Sequence, residues 1–376
     1  MTTLSGAESA ALAHAREVAT RARGRVSPNP LVGAVILRDG RLIAEGWHEG
    51  PGLPHAEVVA LHAAGAAARG ATLVSTLEPC SHFGRTPPCS AAVIESALGR
   101  VVVGCLDPLE RTRGQGVRLL RAAGIDVAVA SGEDGRLSRE LISAFITHAV
   151  RQRPHVMLKL ATSLDGKVAT RTGESQWISS PESRDLVHRM RADHDAVIVG
   201  IGTALADDPR LTARGIDGPV RQPARVVFDS QARLPLTSAM VESAREVPVY
   251  VVVGTSASPD RIDRLRGAGV EVICMPTARP QVPEVLAALG QRGIQSVFVE
   301  GGARLAGAFL EANSVDVVQW FLAPMLIGGS QAPGAIGGQG VGKLADAPRL
   351  AQLVVARIGD DIACAGRVIE LPRIEE

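Results

Sequence analysis

His55-Ala56-Glu57 and, farther on, Thr76-Leu77-Glu78-Pro79-Cys80-Ser81-His82-Phe83-Gly84-Arg85-Thr86-Pro87-Pro88-Cys89 are the stretches whose reading decides the fold of the first half of this chain. One imidazole and two thiolates, from His55, Cys80 and Cys89, make three ligands for a zinc ion. The fourth tetrahedral position is left to water, whose pKa then falls towards neutrality. Glu57 is a carboxylate held off the metal, with a proton to move. The competing reading is a structural zinc site, but such a site is normally closed by a fourth protein ligand, and no further cysteine lies nearby to close it. Pro54 and Pro79 precede His55 and Cys80, and proline suits a first helical turn, so each ligand is expected to open a helix. The free N–H groups of such an end favour thiolate over thiol at Cys80 and Cys89. Side chains two apart on a helix point about 200° away from each other, so His55 and Glu57 share a site only near a helix end.

His-x-Glu followed by Pro-Cys and a second Cys resembles the zinc-dependent nucleobase deaminases, in which the Glu is the general acid/base and not a ligand. Most of that superfamily has two residues between its cysteines, whereas Ser81 to Pro88 intervene here. The segment from Thr76 to Cys89 and, upstream, Ser27-Pro28-Asn29-Pro30-x-Val32-Gly33 resemble the bifunctional riboflavin-biosynthesis deaminase/reductase family. The resemblance runs the length of the chain. It implies an α/β protein: a cytidine-deaminase-like three-layer α/β/α domain over 1–150, then a dihydrofolate-reductase-like α/β domain over 151–376. It also implies Zn2+-dependent deamination of a phosphoribosylamino-pyrimidine, followed by NADPH-dependent reduction of its ribose to a ribityl chain.

The same resemblance implies site residues. Asn29, His48, His82 and Arg85 match positions near the pyrimidine or its ribose phosphate, and the fork of Arg85 suits phosphate. Ser175, Arg191, Leu211, Arg214 and Glu300 match substrate positions of the second half. Ala161, Trp177, Thr203, Asp207, Ser230 and the turn of Gly302, Ala303, Arg304, Leu305, Ala306, Gly307 and Ala308 match NADP contacts. Lys159 and Asp207 are the polar groups to examine for proton handling, with no role assigned. Blander readings stand beside these. The loop residues are also what solvated loops contain, Arg191 beside Arg189 also suits a solvated helix face, Trp177 also suits a core, and Gly301-Gly302 also suits an ordinary tight turn. Composition alone would also admit His48 and His62 as ligands, though His62 lies on an alanine-rich helix and reads as a surface or packing residue. A wholly different reading joins an RNA or free-base deaminase to a nucleotide-sensing module without redox activity.

The 376 residues suffice for two domains with cores of their own. Forty Lys and Arg against 39 Asp and Glu leave a net charge of +1, and only 3% of residues are aromatic. Neither favours a nucleic-acid surface, so the expected partner is a small phosphorylated pyrimidine, which needs only a few local arginines. Met1 to Arg25 has no continuous apolar run, which argues against a signal peptide or membrane anchor and for a cytoplasmic chain. A homo-oligomer is expected. Of five cysteines, Cys105, Cys274 and Cys364 read as core fillers.

Outward from the zinc pattern, the first half alternates helix and strand. A helix is expected over Ala7–Arg21, a hairpin over Val32–Leu37 and Leu42–Gly46, and strands over Thr72–Leu77, Val101–Cys105 and Ile125–Ala130. Between the last two lies a helix at Gly116–Ala123, and Glu133–Val150 reads as one closing helix. Arg151-Gln152-Arg153-Pro154 is the linker candidate. The second half restarts with His155–Leu160 and continues with β-rich runs at Ala196–Val199, Ala224–Phe228, Val247–Val253, Val270–Met275, Ser296–Val299 and Val315–Ala323. It carries no Gly-x-Gly-x-x-Gly, so the strand, glycine pair and helix start of Phe298 to Ala306 is the candidate pyrophosphate turn. Ile327 to Gly342 is glycine-rich and reads as a mobile loop near a substrate.

Overall fold

Short Val- and Ala-rich strands buried on both faces need helices above and below, and the computed structural model, which describes residues 4–83, 87–110, 112–216 and 221–369, builds two such sandwiches. The chain divides into two compact units between Gln152 and Arg153. In the first, α1 (Gly6–Thr20), β1 (Gly33–Arg38), β2 (Arg41–Trp47), α2 (Ala56–Ala64), β3 (Thr72–Ser75) and α3 (Cys89–Glu95) are followed by β4 (Arg100–Val103), α4 (Gln115–Ala122), β5 (Asp126–Val129), α5 (Gly132–Leu141) and α6 (Ser143–Arg151). The sheet order is β2-β1-β3-β4-β5, antiparallel at the β1 pairings and parallel beyond β3.

Alternation sorts the two faces. Val35, Leu37, Val74 and Val102 pack with Ala11, Leu12 and Ala15 of α1. Ala34, Ile36, Leu73, Val101 and Val103 pack instead with α2, α3 and α4. That is the three-layer α/β/α arrangement expected. Ser5 caps α1 in a reciprocal box with Glu8. Gly46 lets α2 come down onto β2, since a Cβ there would stand 2.6 Å from the backbone of both Ala56 and Ala60. This close approach fixes the start of α2, and so His55.

The second unit comprises β6 (His155–Ser163), α7 (Pro181–Asp193), β7 (Ala196–Gly200), α8 (Ile201–Asp207), β8 (Ala224–Phe228), α9 (Ala239–Glu242), β9 (Val249–Val253), α10 (Pro259–Gly267) and β10 (Glu271–Cys274). These are followed by α11 (Val282–Gly290), β11 (Ser296–Val299), α12 (Ala303–Glu311), β12 (Val317–Ala323), β13 (Arg349–Ile358) and β14 (Asp361–Ile369). Nine strands run in the order β10-β9-β8-β7-β11-β6-β12-β14-β13. All from β10 to β12 are parallel neighbours, and β14 and β13 close the sheet as an antiparallel hairpin. Because β6 runs first and β11 later inserts between it and β7, the carboxyl ends of β7, β11 and β6 form a topological switch point. Open α/β sheets bind ligands in such crevices.

Four expectations need correction. Glu133–Val150 is two helices, because Ile142 (φ −109°, ψ 24°) leaves helical geometry and buries its side chain. The β13–β14 hairpin is an addition to the expected strands, since Leu350 to Ile358 lacks the period of two that marks a half-buried strand. The glycine-rich loop is anchored: Asp165 accepts from the N–H groups of Ile327 and Gly328 at 3.0 and 2.7 Å, Lys167 donates to the Ala332 carbonyl, and the Gly337 N–H donates to the Ala303 carbonyl at 2.8 Å. Of the three supposed core cysteines only Cys105 is buried, while Cys364 is half-buried and Cys274 exposed. No helix among the described residues is long and apolar enough to cross a membrane.

Candidate active sites

In the first unit His55 is the N-cap of α2, with extended backbone, and Glu57 lies in the first turn. Cys89 opens α3 after Pro88. Cys80 lies in a loop and opens no helix, which corrects that expectation. It nevertheless meets a helix end, because the backbone N–H of Cys89 donates to its Sγ at 3.2 Å. The ligand atoms of His55, Cys80 and Cys89 lie within 4.8 Å of one another. His55 Nδ1 is 3.0 Å from the Cys89 sulfur and 3.6 Å from that of Cys80.

The three groups are close enough to shift one another's protonation. The hydrogen bond from Cys89 and, against the effect of burial, the neighbouring His55 hold the Cys80 thiol down to about 4. The same sulfur pairing, with burial, pushes Cys89 up, and His55 is raised by its bond to Cys80. Two sulfurs and one imidazole nitrogen facing one another at these separations suit zinc, and a set of three leaves a coordination position open. Glu57 is 3% exposed, and burial pushes its carboxyl up to about 7.

His55, Glu57 and Cys80 line a cavity of about 370 Å³, within the ordinary range for a small-molecule site. Asn29, His48 and His82 line it too, as do Asp107, Leu109 and Phe145, which the sequence reading did not single out. His48 is buried, and burial keeps its imidazole below the usual range. With Nδ1–H donating to the Pro54 carbonyl at 3.1 Å, its Nε2 accepts from Asn29 Nδ2 at 2.9 Å. Arg85 lies outside the described residues. His62 is exposed in the last turn of α2.

In the second unit the buried polar groups sit near the switch point. Lys159 shares a face of β6 with Met157 and Ala161, which pack into the core that includes Val187 of α7. Arg191, also on α7, makes a two-pronged ion pair with Glu300, at 2.5 and 2.9 Å, and donates to the Thr212 carbonyl. The solvated-face reading of Arg191 is thereby excluded. Burial pushes the Lys159 ammonium down against the attraction of Glu300. Burial acts to raise Glu300 as well, but Arg191 and Lys159 together hold it below the usual carboxylate range. Leu211 is buried, and Arg214 stands 3.5 Å from His188 Nε2.

Glu300 directly follows β11, and Gly302 is the N-cap of α12. A Cβ on Gly302 would be 3.8 Å from Thr203 Oγ1, so the starts of α8 and α12 adjoin. Burial raises Asp207, with Gln176 hydrogen-bonded to it. Trp177 is 66% exposed with the Arg184 guanidinium 4.7 Å over its ring, which removes the core reading. Ser230 follows β8 at the same edge, and Arg304 is exposed in the first turn of α12.

Residues 6–105 match the family model of the cytidine and deoxycytidylate deaminase zinc-binding region, and residues 154–364 that of the RibD C-terminal domain. The riboflavin biosynthesis protein RibD of Bacillus amyloliquefaciens is 40% identical over 346 residues, covering 92% of each chain. That of Escherichia coli K12 is 38% identical over 364 residues, covering 93% of this chain and 96% of its own. Among solved structures, Acinetobacter baumannii RibD superposes with a TM-score of 0.86 at 36% identity, over 97% of this chain and 99% of that one. A diaminohydroxyphosphoribosylaminopyrimidine deaminase/5-amino-6-(5-phosphoribosylamino)uracil reductase of Thermotoga maritima gives 0.83, also at 36%, over 96% and 99%.

Proposed function

The chain belongs to the RibD family of bifunctional riboflavin-biosynthesis deaminase/reductases, and from that premise we propose how its own residues divide the work. Residues 1–150 deaminate 2,5-diamino-6-(5-phosphoribosylamino)pyrimidin-4-one, and residues 151–376 reduce the ribosyl group of the product to give 5-amino-6-(5-phosphoribitylamino)uracil. One observation carries the first step: three ligand atoms gather within 4.8 Å beside a buried glutamate whose carboxyl is raised to about 7.

His55, Cys80 and Cys89 would hold zinc, which when bound supplies an activated water and steadies the charge that develops at the attacked ring carbon. Glu57 moves the proton. At a pKa near neutrality it both takes a proton and returns one to the departing ammonia, which a carboxyl at its ordinary value does poorly. Asn29 and His48, locked to each other, present fixed polar edges to the ring, and His82 with Arg85 serves the ribose phosphate. Burial of the site keeps these dipoles unscreened.

NADPH supplies the hydride of the second step when bound. Gly302 and the first turns of α12 through Ala308, with Thr203, Asp207, Ala161, Trp177 and Ser230, would hold it, and Ser230 or Arg304 would meet its 2′-phosphate. Ser175, Arg191, Leu211, Arg214 and Glu300 hold the substrate, and Lys159 is the candidate to orient the opened sugar or pass it a proton. The deciding experiment is stepwise. Ammonia release from the diaminopyrimidine, followed by NADPH oxidation that requires the deaminated product, supports both halves; release without oxidation would reduce the second half to a binding module.

The same proposal places the enzyme in the cytoplasm, where thiols stay reduced, and makes it a homo-oligomer. Edge strand β13 presents Leu353, Val354 and Val355, each more than half exposed, and an uncovered apolar edge is a template for pairing. Light scattering on the parent and on Val354→Lys tests this, a monomeric parent being the contrary result.

A further inference from the structure

We infer that Glu78 is a positioning residue of the deaminating site, tying the cavity wall at Asp107 and Leu109 to the segment that carries Cys80. The inference rests on the deaminase reading of that cavity. Glu78 sits two residues before Cys80 and is 5% exposed. Its own N–H donates to the Cys105 carbonyl at 2.9 Å, which extends the sheet towards the ligand loop. Its carboxylate is spread over two other pieces of chain. Oε2 accepts from the N–H groups of Asp107 at 3.1 Å and Gly114 at 2.8 Å, while Oε1 accepts from that of Val117 at 3.2 Å.

Gly114 is the N-cap of α4 and Val117 lies in its first turn, so the carboxylate caps a helix end where negative charge is favoured. The backbones are in close contact there: a Cβ on Gly116 would lie 2.1 Å from the Pro79 carbonyl oxygen. Asp107 relays the constraint, because its carboxylate accepts from the Leu109 N–H at 2.8 Å. Asp107 and Leu109 line the same cavity as Glu57, His55 and Cys80, and Glu78 itself reaches its wall. A single side chain therefore fixes the distance from the reacting edge of the ring to the wall that must meet its far side. Backbone N–H donors around a buried carboxylate are costly to leave unmatched, so this linkage is stiff.

Glu78→Gln in the zinc-loaded full chain tests it. The amide keeps one acceptor oxygen and turns an NH2 towards N–H donors. The KM for the diaminopyrimidine should rise about tenfold, the size of one lost hydrogen bond to a charged group, with kcat changed much less. Zinc content and NADPH oxidation with the deaminated product should be unchanged. An unaltered KM overturns the inference, and so does loss of zinc with a collapse of kcat, which would place the effect in the metal ligands. If the variant does not fold, amide exchange in the parent decides: the N–H groups of Asp107, Gly114 and Val117 should be protected together, and exchange at free-loop rates overturns the inference. Absence of ammonia release by the parent would instead count against the deaminase reading itself.

Discussion

Glu57 and Glu300 are both buried carboxyls in the heart of a site, yet their environments push them in opposite directions. Glu57 is raised to about 7 because burial outweighs a backbone hydrogen bond at Glu57, the charge on His55 and a hydrogen bond with Cys89, and the Cys80 thiolate adds to the rise. Glu300 is lowered because Arg191 and Lys159 together outweigh a comparable burial. Burial alone therefore does not choose a protonation state; the partner set does. The difference separates two duties. A carboxyl poised near neutrality carries protons, whereas one clamped by two cations is an anchor that holds its partners in place.

The sharpest way to break this comparison is to remove the ligand set around Glu57. Cys80→Ser and Cys89→Ser should lose zinc and bring ammonia release to background, since a hydroxyl is a far poorer ligand than a thiolate. NADPH oxidation with the deaminated product should persist in both, because that site lies in a separate compact unit. Metal analysis beside the two assays checks it, and full zinc occupancy in either variant would mean that the ligand was wrongly chosen. Glu57→Gln comes next in size. It keeps the shape and, by expectation, the zinc, while ammonia release falls by ~10²–10⁴-fold. Near-normal turnover in zinc-loaded protein would strip Glu57 of its proton-carrying role.

The two sites also differ in how legible they were. His55, Glu57, Cys80 and Cys89 fall within 35 consecutive residues of a motif whose chemistry fixes its geometry, so residue types and spacing were enough to gather them. Even there the helix expected at Cys80 was wrong. Proline at a first turn permits a helix without requiring one, and the Cys80 segment instead spends its hydrogen bonds on the neighbouring start of α3. The pairing of Arg191 with Glu300 spans 109 positions and depends on β11 inserting between β7 and β6, a non-local fact that no local pattern carries. Glu78 was visible only as a letter of the motif, because its donors lie 29 to 39 positions away. The sheet interior was readable from its Val-rich runs. The hairpin of β13 and β14, apolar on exposed positions as well as covered ones, had no alternation to read.

Glu300→Gln probes the anchor. The amide can no longer neutralise Arg191, whose side chain is 14% exposed, and an incompletely paired buried cation is destabilising by about 3 kcal/mol. Denaturant unfolding followed in the second unit should show that loss, with the first unit unchanged. A loss below about 0.5 kcal/mol would place the pair among the weak surface ion pairs, contrary to its burial.

The smallest effect is the pH dependence of that same difference, and its sign tests the comparison directly. A carboxyl whose folded pKa lies below its unfolded value of about 4.3 binds its proton more readily when unfolded. Stability therefore rises with pH across the interval between the two values. Above the unfolded value both states are ionised, so the advantage of the parent over Glu300→Gln should be at its full size and flat from pH 7 down to about pH 5. As pH falls further the unfolded chain takes up its proton first, and the advantage should shrink until pH has passed below the lowered folded value. The amide of the variant has no proton to gain, so subtracting the two curves removes the titration of every other group that the substitution leaves alone. Amide exchange in β11 and α7, followed at a series of pH values, reads the effect where the pair sits. A parent advantage that instead grew on acidification would mean a folded carboxyl raised above its unfolded value, as at Glu57, and the distinction between carrier and anchor would fail.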